Sequence, residues 1–259
     1  MFNKRHIVRT IAATASILAL SFTAACGSGQ STASNSADSN DITQQTYKPG
    51  KLTIATGQPA YEPWVMNDKP ESGEGYEAAV AYAVADKLGF KKSDVVWTRT
   101  AFDTAIAPGA KDWDFNIQQF GITDERKKAV DFSSSYYNDS QSVVVKKDSK
   151  FANATKVSDL KDATVGVMVG TLAYDYAKAN IKDDIQTFND DAALAQALDA
   201  GQIDALVTST VECVYMVQSE QVKDAKVLGR LPDSEDKSGM GIVLPKDSKL
   251  TAAVTKAVD

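Results

Sequence analysis

The sequence predicts an α/β fold of two lobes joined by a two-segment hinge. Three observations predict it. Apolar runs of strand length alternate with helical runs, the pattern of a parallel sheet with helices on both faces. The alternation comes in two series that part near residue 147, and residues 48–259 suffice for two domains of about 100 residues each. Two segments where the chain could cross between the series have strand composition: 141–145, after Tyr136-Tyr137-Asn138-Asp139-Ser140, and 242–245, after Ser238-Gly239-Met240-Gly241. Two crossings make a hinge, and a hinge makes a cleft that can close on a ligand.

In the first series residues 51–56 read as a strand and 76–88 as an alanine-rich helix ended by Gly89. Residues 95–97 follow as a strand, 102–106 as a short helix stopped by Pro108-Gly109, and 114–119 as a strand. The second series gives strand 163–169, helix 172–180, strand 185–188, helix 191–200 closed by Gly201, strand 203–207 and a helix from 209 to 218. The expected lobes are 48–139 with 241–259, and 140–240.

The N-terminus is an address. Lys4, Arg5 and Arg9 precede an apolar stretch at 11–22, then Thr23-Ala24-Ala25 and Cys26, the pattern of a signal peptide over 1–25 with a lipid on Cys26. The apolar run is about a dozen residues, short of the roughly 20 that span a bilayer as a helix. An ordinary secretory signal cut near Cys26 is the alternative. Residues 26–47 are small and polar apart from Ile42 and Tyr47, so they read as a flexible tether. Such a coil reaches about 25 Å. The folded part is expected outside the cytoplasm, held by the lipid at the outer face of the cytoplasmic membrane.

Losing the signal narrows the chemistry. The sole histidine is His6, so the remainder has none for a catalytic triad or a histidine zinc site, and no metal or cofactor is expected. Besides Cys26 there is only Cys213, in an apolar run, which reads as core and permits no intrachain disulfide. The 28 Lys and Arg less the three in the signal leave 25 against 34 Asp and Glu, a net of −9. That acidity argues against nucleic acid as a partner.

Several motifs stand in order: Ile54-Ala-Thr56, Tyr61-Glu62-Pro63-Trp64, Gly75-Tyr76-Glu77, then Ile122-Thr123-Asp124-Glu125-Arg126 and Val130-Asp131-Phe132-Ser133. Val165-Gly166-Val167-Met168-Val169-Gly170-Thr171 and Gly201-Gln202-Ile203-Asp204-Ala205 follow. Together they resemble the family 3 extracellular solute-binding proteins, which serve ABC importers of polar amino acids. The resemblance runs from residue 51 to the end. It implies the type II periplasmic-binding-protein-like fold, an amino-acid ligand, a membrane permease as partner, and a monomer. It also implies another helix or two beyond 252–259, without which apolar helix surface would be exposed and stability low.

The candidate ligand-binding residues are Tyr61, Trp64, Gln118, Gln119, Gly121, Arg126, Gly170, Thr171 and Ser209. Thr123 can cap a helix whose first turn holds Arg126, and a carboxylate suits both a helix N-terminus and a bidentate guanidinium. In the resembled family an arginine at the place of Arg126 grips the α-carboxylate; the plainer reading is a surface charge pairing with Asp124. Gly170-Thr171, between a strand and a helix, can offer backbone N–H groups and a hydroxyl to the same carboxylate. The resemblance implies that Tyr61 and Trp64 pack on the ligand, although Trp64 reads equally as core.

Departures from the family pattern bear on the ligand. Ser209 stands where an aspartate usually pairs with the α-ammonium, so Glu62 or Glu212 would have to restore the charge. Gln118 and Gln119 replace small serines, and Gly121 replaces Ser or Thr; two long amides would narrow the pocket and offer donors and acceptors. A non-enzymatic capture protein is the expected function. A cyclohexadienyl-dehydratase-like enzyme with Glu62 or Glu212 as general acid, or a surface adhesin, are the alternatives on the same fold.

Overall fold

The structure is a computed structural model that describes residues 41–259. The expected signal peptide, Cys26 and the expected tether up to residue 40 lie outside the described residues. Strands and helices follow as β1 (Leu52–Thr56), α1 (Tyr76–Lys87), β2 (Val95–Arg99), α2 (Phe102–Ile106), β3 (Phe115–Asn116), β4 (Val130–Tyr137) and β5 (Gln141–Lys146). Then come β6 (Val165–Met168), α3 (Leu172–Asn180), β7 (Gln186–Phe188), α4 (Asp191–Asp199), β8 (Ala205–Ser209), α5 (Thr210–Gln218), β9 (Ala225–Arg230), β10 (Met240–Pro245) and α6 (Thr251–Val258).

Two five-stranded sheets result, ordered β2-β1-β3-β10-β4 and β7-β6-β8-β5-β9. Each is the centre of one lobe. Both are mixed rather than parallel: β10 runs antiparallel to β3 and β4, and β5 antiparallel to β8 and β9. The reversed strands are the crossing segments and their return, which enter each sheet from the hinge.

Burial on both faces explains why the strands read as continuous apolar runs rather than alternating ones. In β5, Val143 and Val145 face α3 with Val165, Val167 and Val207, while Val144 faces α4 and α5 with Leu194, Leu198, Leu206 and Met216. Cys213 belongs to that second cluster and is a free, buried thiol. In the first lobe, Leu52, Ile54, Phe115, Ile242 and Leu244 meet α1 and α6 through Ala81, Val84 and Val254. Each buried Leu or Ile contributes about 1.5–3 kcal/mol, so these four-sided cores hold each lobe rigid around its loops.

Three expectations change. The strand expected over 114–119 shrinks to Phe115–Asn116. Asp114 is drawn away to accept backbone N–H groups of Tyr47 and Thr53, both at 2.6 Å, and Gln119 turns to φ +51°. β4 and β9 were not foreseen, the first because Ser133-Ser134-Ser135 reads as turn, the second because it is short and charged. Finally, residues 41–47 of the expected tether are part of the fold. Asp41 caps a 3-10 turn over Ile42–Gln44, Ile42 packs on the first-lobe core, and the Tyr47 N–H finds the buried Asp114 carboxylate.

The two crossings are tied to each other. The Asp236 N–H donates to Asp139 O at 2.9 Å, while the Gly241 N–H holds the second crossing to the first lobe through Phe120 O at 3.0 Å. Gly239 sits at φ +70° where a β-carbon would collide with the Ser135 hydroxyl, so only glycine fits.

Candidate functional site

A cavity of about 710 Å³, partly continuous with solvent, lies between the lobes. Its walls are the loops beyond the C-terminal ends of β1, β3, β6 and β8, the place where open α/β sheets usually bind ligands. The first lobe supplies Tyr61, Phe102, Gln118, Gln119, Gly121 and Arg126. The second supplies Met168, Thr171, Leu172, Asp191, Ser209 and Glu212, and the crossings supply Asp139, Asp236 and Met240.

Arg126 forms the basic end. The helix expected after Thr123 is a single 3-10 turn, Arg126–Lys128, but the Thr123 hydroxyl does accept the Arg126 N–H at 3.1 Å. The guanidinium lies over the Phe102 ring, 5.5 Å from its centroid, and Phe102 stacks on Phe120 at 4.6 Å. Nη1 donates to Gly121 O at 2.7 Å and Nη2 crosses the cleft to Gly170 O at 2.9 Å. A guanidinium carries five N–H donors, so these two bonds fix its plane and leave donors for a carboxylate. Burial works against its charge, while Asp175 and Asp236 support it.

The two amides divide their labour. Gln119 is a support for Glu77, which is fully buried: its backbone N–H donates to Glu77 Oε1 at 2.7 Å and its side-chain amide to Oε2, while the Tyr136 hydroxyl donates to Oε1. Burial lifts the Glu77 carboxyl to about 7. The backbone N–H and one amide N–H of Gln119 are therefore spent inside the first lobe. Gln118 instead presents a buried Oε1 that has no hydrogen-bond partner among the described residues.

The opposite wall is acidic. Glu212, 5 % exposed, accepts the Trp64 indole N–H across the cleft at 2.9 Å. Burial pushes its carboxyl well above the ordinary range, and Asp191 adds to the shift. Asp191 begins α4, accepts the Thr208 hydroxyl at 3.3 Å, and is lifted to about 6 by burial. Asp139 and Asp236 on the crossings are likewise raised by burial, and each has an Oδ2 without a well-formed hydrogen bond among the described residues. The Tyr61 hydroxyl is also buried, lies near the Ala192 N–H without a well-formed hydrogen bond among the described residues, and sits in the field of Asp190, Asp191 and Glu212; burial raises its pKa.

Of the nine residues proposed from sequence, seven line the cavity and two do not. Trp64, 1 % exposed, stands behind the wall in edge contact with Tyr76 and Tyr137 at 6.0 and 5.3 Å. Gly170 presents its carbonyl to Arg126. Thr171 caps α3, its hydroxyl donating to Met168 O at 2.8 Å and accepting the Tyr174 N–H at 3.2 Å. Ser209 caps α5 by accepting the Glu212 N–H at 3.1 Å. Of the two acids proposed to restore its charge, Glu212 reaches the cavity. Glu62 turns outward to Tyr215 on α5 and to the Asn67 N–H. Asp139, Asp191 and Asp236 were missed. Asp139 was legible as a charge in the hinge, Asp191 only as a helix start, and Asp236 carried no signal.

The family model described as bacterial extracellular solute-binding proteins, family 3, matches residues 52–259. The chain is 28 % identical over 228 residues to an L-arginine-binding protein of Pseudomonas aeruginosa, covering 82 % of each. It is 29 % identical over 201 residues to the L-cystine-binding protein TcyJ of Escherichia coli, covering 76 % of this chain and 73 % of that one. A solved structure of an ancestral arginine-binding protein bound to arginine matches with a TM-score of 0.69 at 30 % identity, over 81 % of this chain and 91 % of the other.

Proposed function

This chain belongs to the bacterial extracellular solute-binding proteins of family 3, and from that premise we propose that it captures a polar amino acid in the interlobe cavity and delivers it to an ABC permease. The observation that carries the reading is polarity along one cavity. A plane-fixed guanidinium with Asp236 beside it forms one part of the wall and Asp139, Asp191 and Glu212 form another, matching the two charges of a zwitterion. Relatives are named as binding proteins, and this chain is one too, not an enzyme.

In the proposed cycle the open lobes admit the ligand, Arg126 takes its carboxylate, and closure brings up the wall of α3 to α5. The closed form then docks on the permease. A lipid on Cys26 would hold the protein at the outer face of the cytoplasmic membrane, and Cys26→Ser would then release it to the medium. Persistent membrane attachment of that variant would place the anchor elsewhere.

The deciding experiment is a thermal-shift screen of the protein without its signal peptide against the twenty amino acids. A ligand at a hundred times its dissociation constant adds about 2.7 kcal/mol, a rise of a few degrees in Tm. A well-folded protein that none of them shifts would overturn the amino-acid reading.

A further inference from the structure

We propose that this cavity selects a dibasic amino acid, with the carboxylate at Arg126, the α-ammonium at Asp139 and the second cation among Asp191, Glu212 and Tyr61. The inference rests on the amino-acid reading and sharpens it.

Charge comes first. Four carboxylates line the cavity with one guanidinium, so a ligand of one negative and two positive groups neutralises more of the wall than a simple zwitterion does. Such a cluster could instead suggest a metal, but among the described residues no three such side chains converge to hold one.

The unpartnered atoms are an independent observation. Among the described residues, four of the buried side-chain atoms without a well-formed hydrogen bond belong to cavity residues: Tyr61 Oη, Gln118 Oε1, Asp139 Oδ2 and Asp236 Oδ2. The amide oxygen and the ionised carboxylate oxygens can only accept, and the tyrosine hydroxyl can accept or donate. A buried acceptor left unmet costs about 1–3 kcal/mol, so the complementary ligand is rich in N–H donors. Two cationic nitrogen groups supply them. A carboxamide or carboxylate side chain brings further acceptors to a wall that already has them.

The order of the groups sets the pose. Asp236 stands beside the carboxylate end, since its Oδ2 lies 2.9 Å from where a β-carbon on Gly121 would sit, the Gly121 carbonyl accepts Arg126 Nη1, and the Asp236 N–H donates to Asp139 O. Asp139 lies next, beside Ser209, so a hinge carboxylate stands by the hydroxyl where the resembled family would supply its own. The Thr208 hydroxyl donates to Asp191 and the next residue, Ser209, caps the helix that carries Glu212, so the two acids stand together at the end of β8, and Tyr61 lines the same cavity in the field of Asp190, Asp191 and Glu212. The α-carbon between Arg126 and Asp139 therefore points its side chain toward the Asp191–Glu212 pair.

Titration calorimetry of the signal-free protein with arginine, lysine, citrulline, glutamine and glutamate tests this, citrulline being the uncharged counterpart of arginine. Arginine or lysine is expected to bind at least about tenfold more tightly than citrulline and glutamine. Asp191→Asn with Glu212→Gln should weaken arginine by more than about tenfold while holding citrulline within about threefold. Asp139→Asn should weaken arginine and citrulline alike. Glutamine, glutamate or citrulline binding as tightly as arginine would overturn the inference and leave the amino-acid reading standing. No binding of any amino acid by a protein that melts cooperatively would overturn both. If the double variant does not fold, the arginine-to-citrulline ratio of the unaltered protein decides, and losses confined to arginine in Asp139→Asn would move the ammonium elsewhere.

Discussion

Glu77 inside the first lobe and Asp139 at the hinge are both carboxylates removed from water, and their surroundings differ. Glu77 receives the Gln119 backbone N–H, the Gln119 amide and the Tyr136 hydroxyl. Asp139 receives the Ser140 N–H on Oδ1 at 2.7 Å and lies near the Ser209 hydroxyl and the first N–H groups of α5, yet its Oδ2 has no well-formed hydrogen bond among the described residues. A buried charge whose lone pairs are all met stiffens the loop that meets them, while one left unmet lowers stability until a ligand arrives. Here Gln119 is the loop so stiffened, and it carries the cavity wall from Gln118 to Gly121.

The largest expected effect breaks this comparison directly. Glu77→Ala strips three donors of their acceptor in a dry interior and should cost about 3–5 kcal/mol of folding stability, measured by urea denaturation. Asp139→Asn should leave the ligand-free protein as stable as before, or more so. Equal losses in the two variants would mean that both carboxylates are structural.

On the ligand side, Arg126→Ala should cost about 2–5 kcal/mol of binding, read by calorimetry with whichever amino acid binds best, because it leaves a carboxylate unpaired in the cleft. Unchanged affinity would remove Arg126 from the carboxylate site and leave the acidic wall without its counterpart.

A smaller effect separates the two carboxylates by pH. Burial lifts Glu77 from 4.5 to about 7, so between those values the folded state holds a proton that the unfolded state has released. Stability should therefore fall as pH rises from about 4.5 to about 7, by at most about 3 kcal/mol, and level off above. Melting curves from pH 5 to pH 8 should show a steeper decline in the unaltered protein than in Glu77→Gln. Parallel declines would mean that Glu77 is ionised throughout.

The same contrast explains what could be read in advance. Strand and helix periodicity carried most elements, with α2 and α3 matching residue for residue, because those segments are decided by local pattern and two-sided burial. β4 was illegible because its serines gain meaning only from β10, more than a hundred residues away. The basic end of the site was legible because Arg126 sits in a local motif with its cap, Thr123. The acidic end was not, since Asp139, Asp191 and Asp236 come from a hinge, a helix start and a loop, and nothing local distinguishes them from solvated acids.

Gly121 is where local and non-local reasons meet. Family resemblance leads one to expect a hydroxyl there, which could reach a ligand carboxylate. A β-carbon on Gly121 would lie 2.5 Å from Leu172 Cδ1 of the opposite lobe and 2.9 Å from Asp236 Oδ2. The glycine thus makes room for the start of α3 and for the hinge carboxylate, and does so only when the lobes are close. Gly121→Ser should weaken binding by about 1–2 kcal/mol through resisted closure, with little change in ligand-free stability. Leu172→Ala on that background should restore part of the loss, since residues in contact couple while distant ones add. Gly121→Ser binding as tightly as the parent would mean that Leu172 yields freely, and that the approach of α3 to this loop does not limit how tightly the cleft shuts.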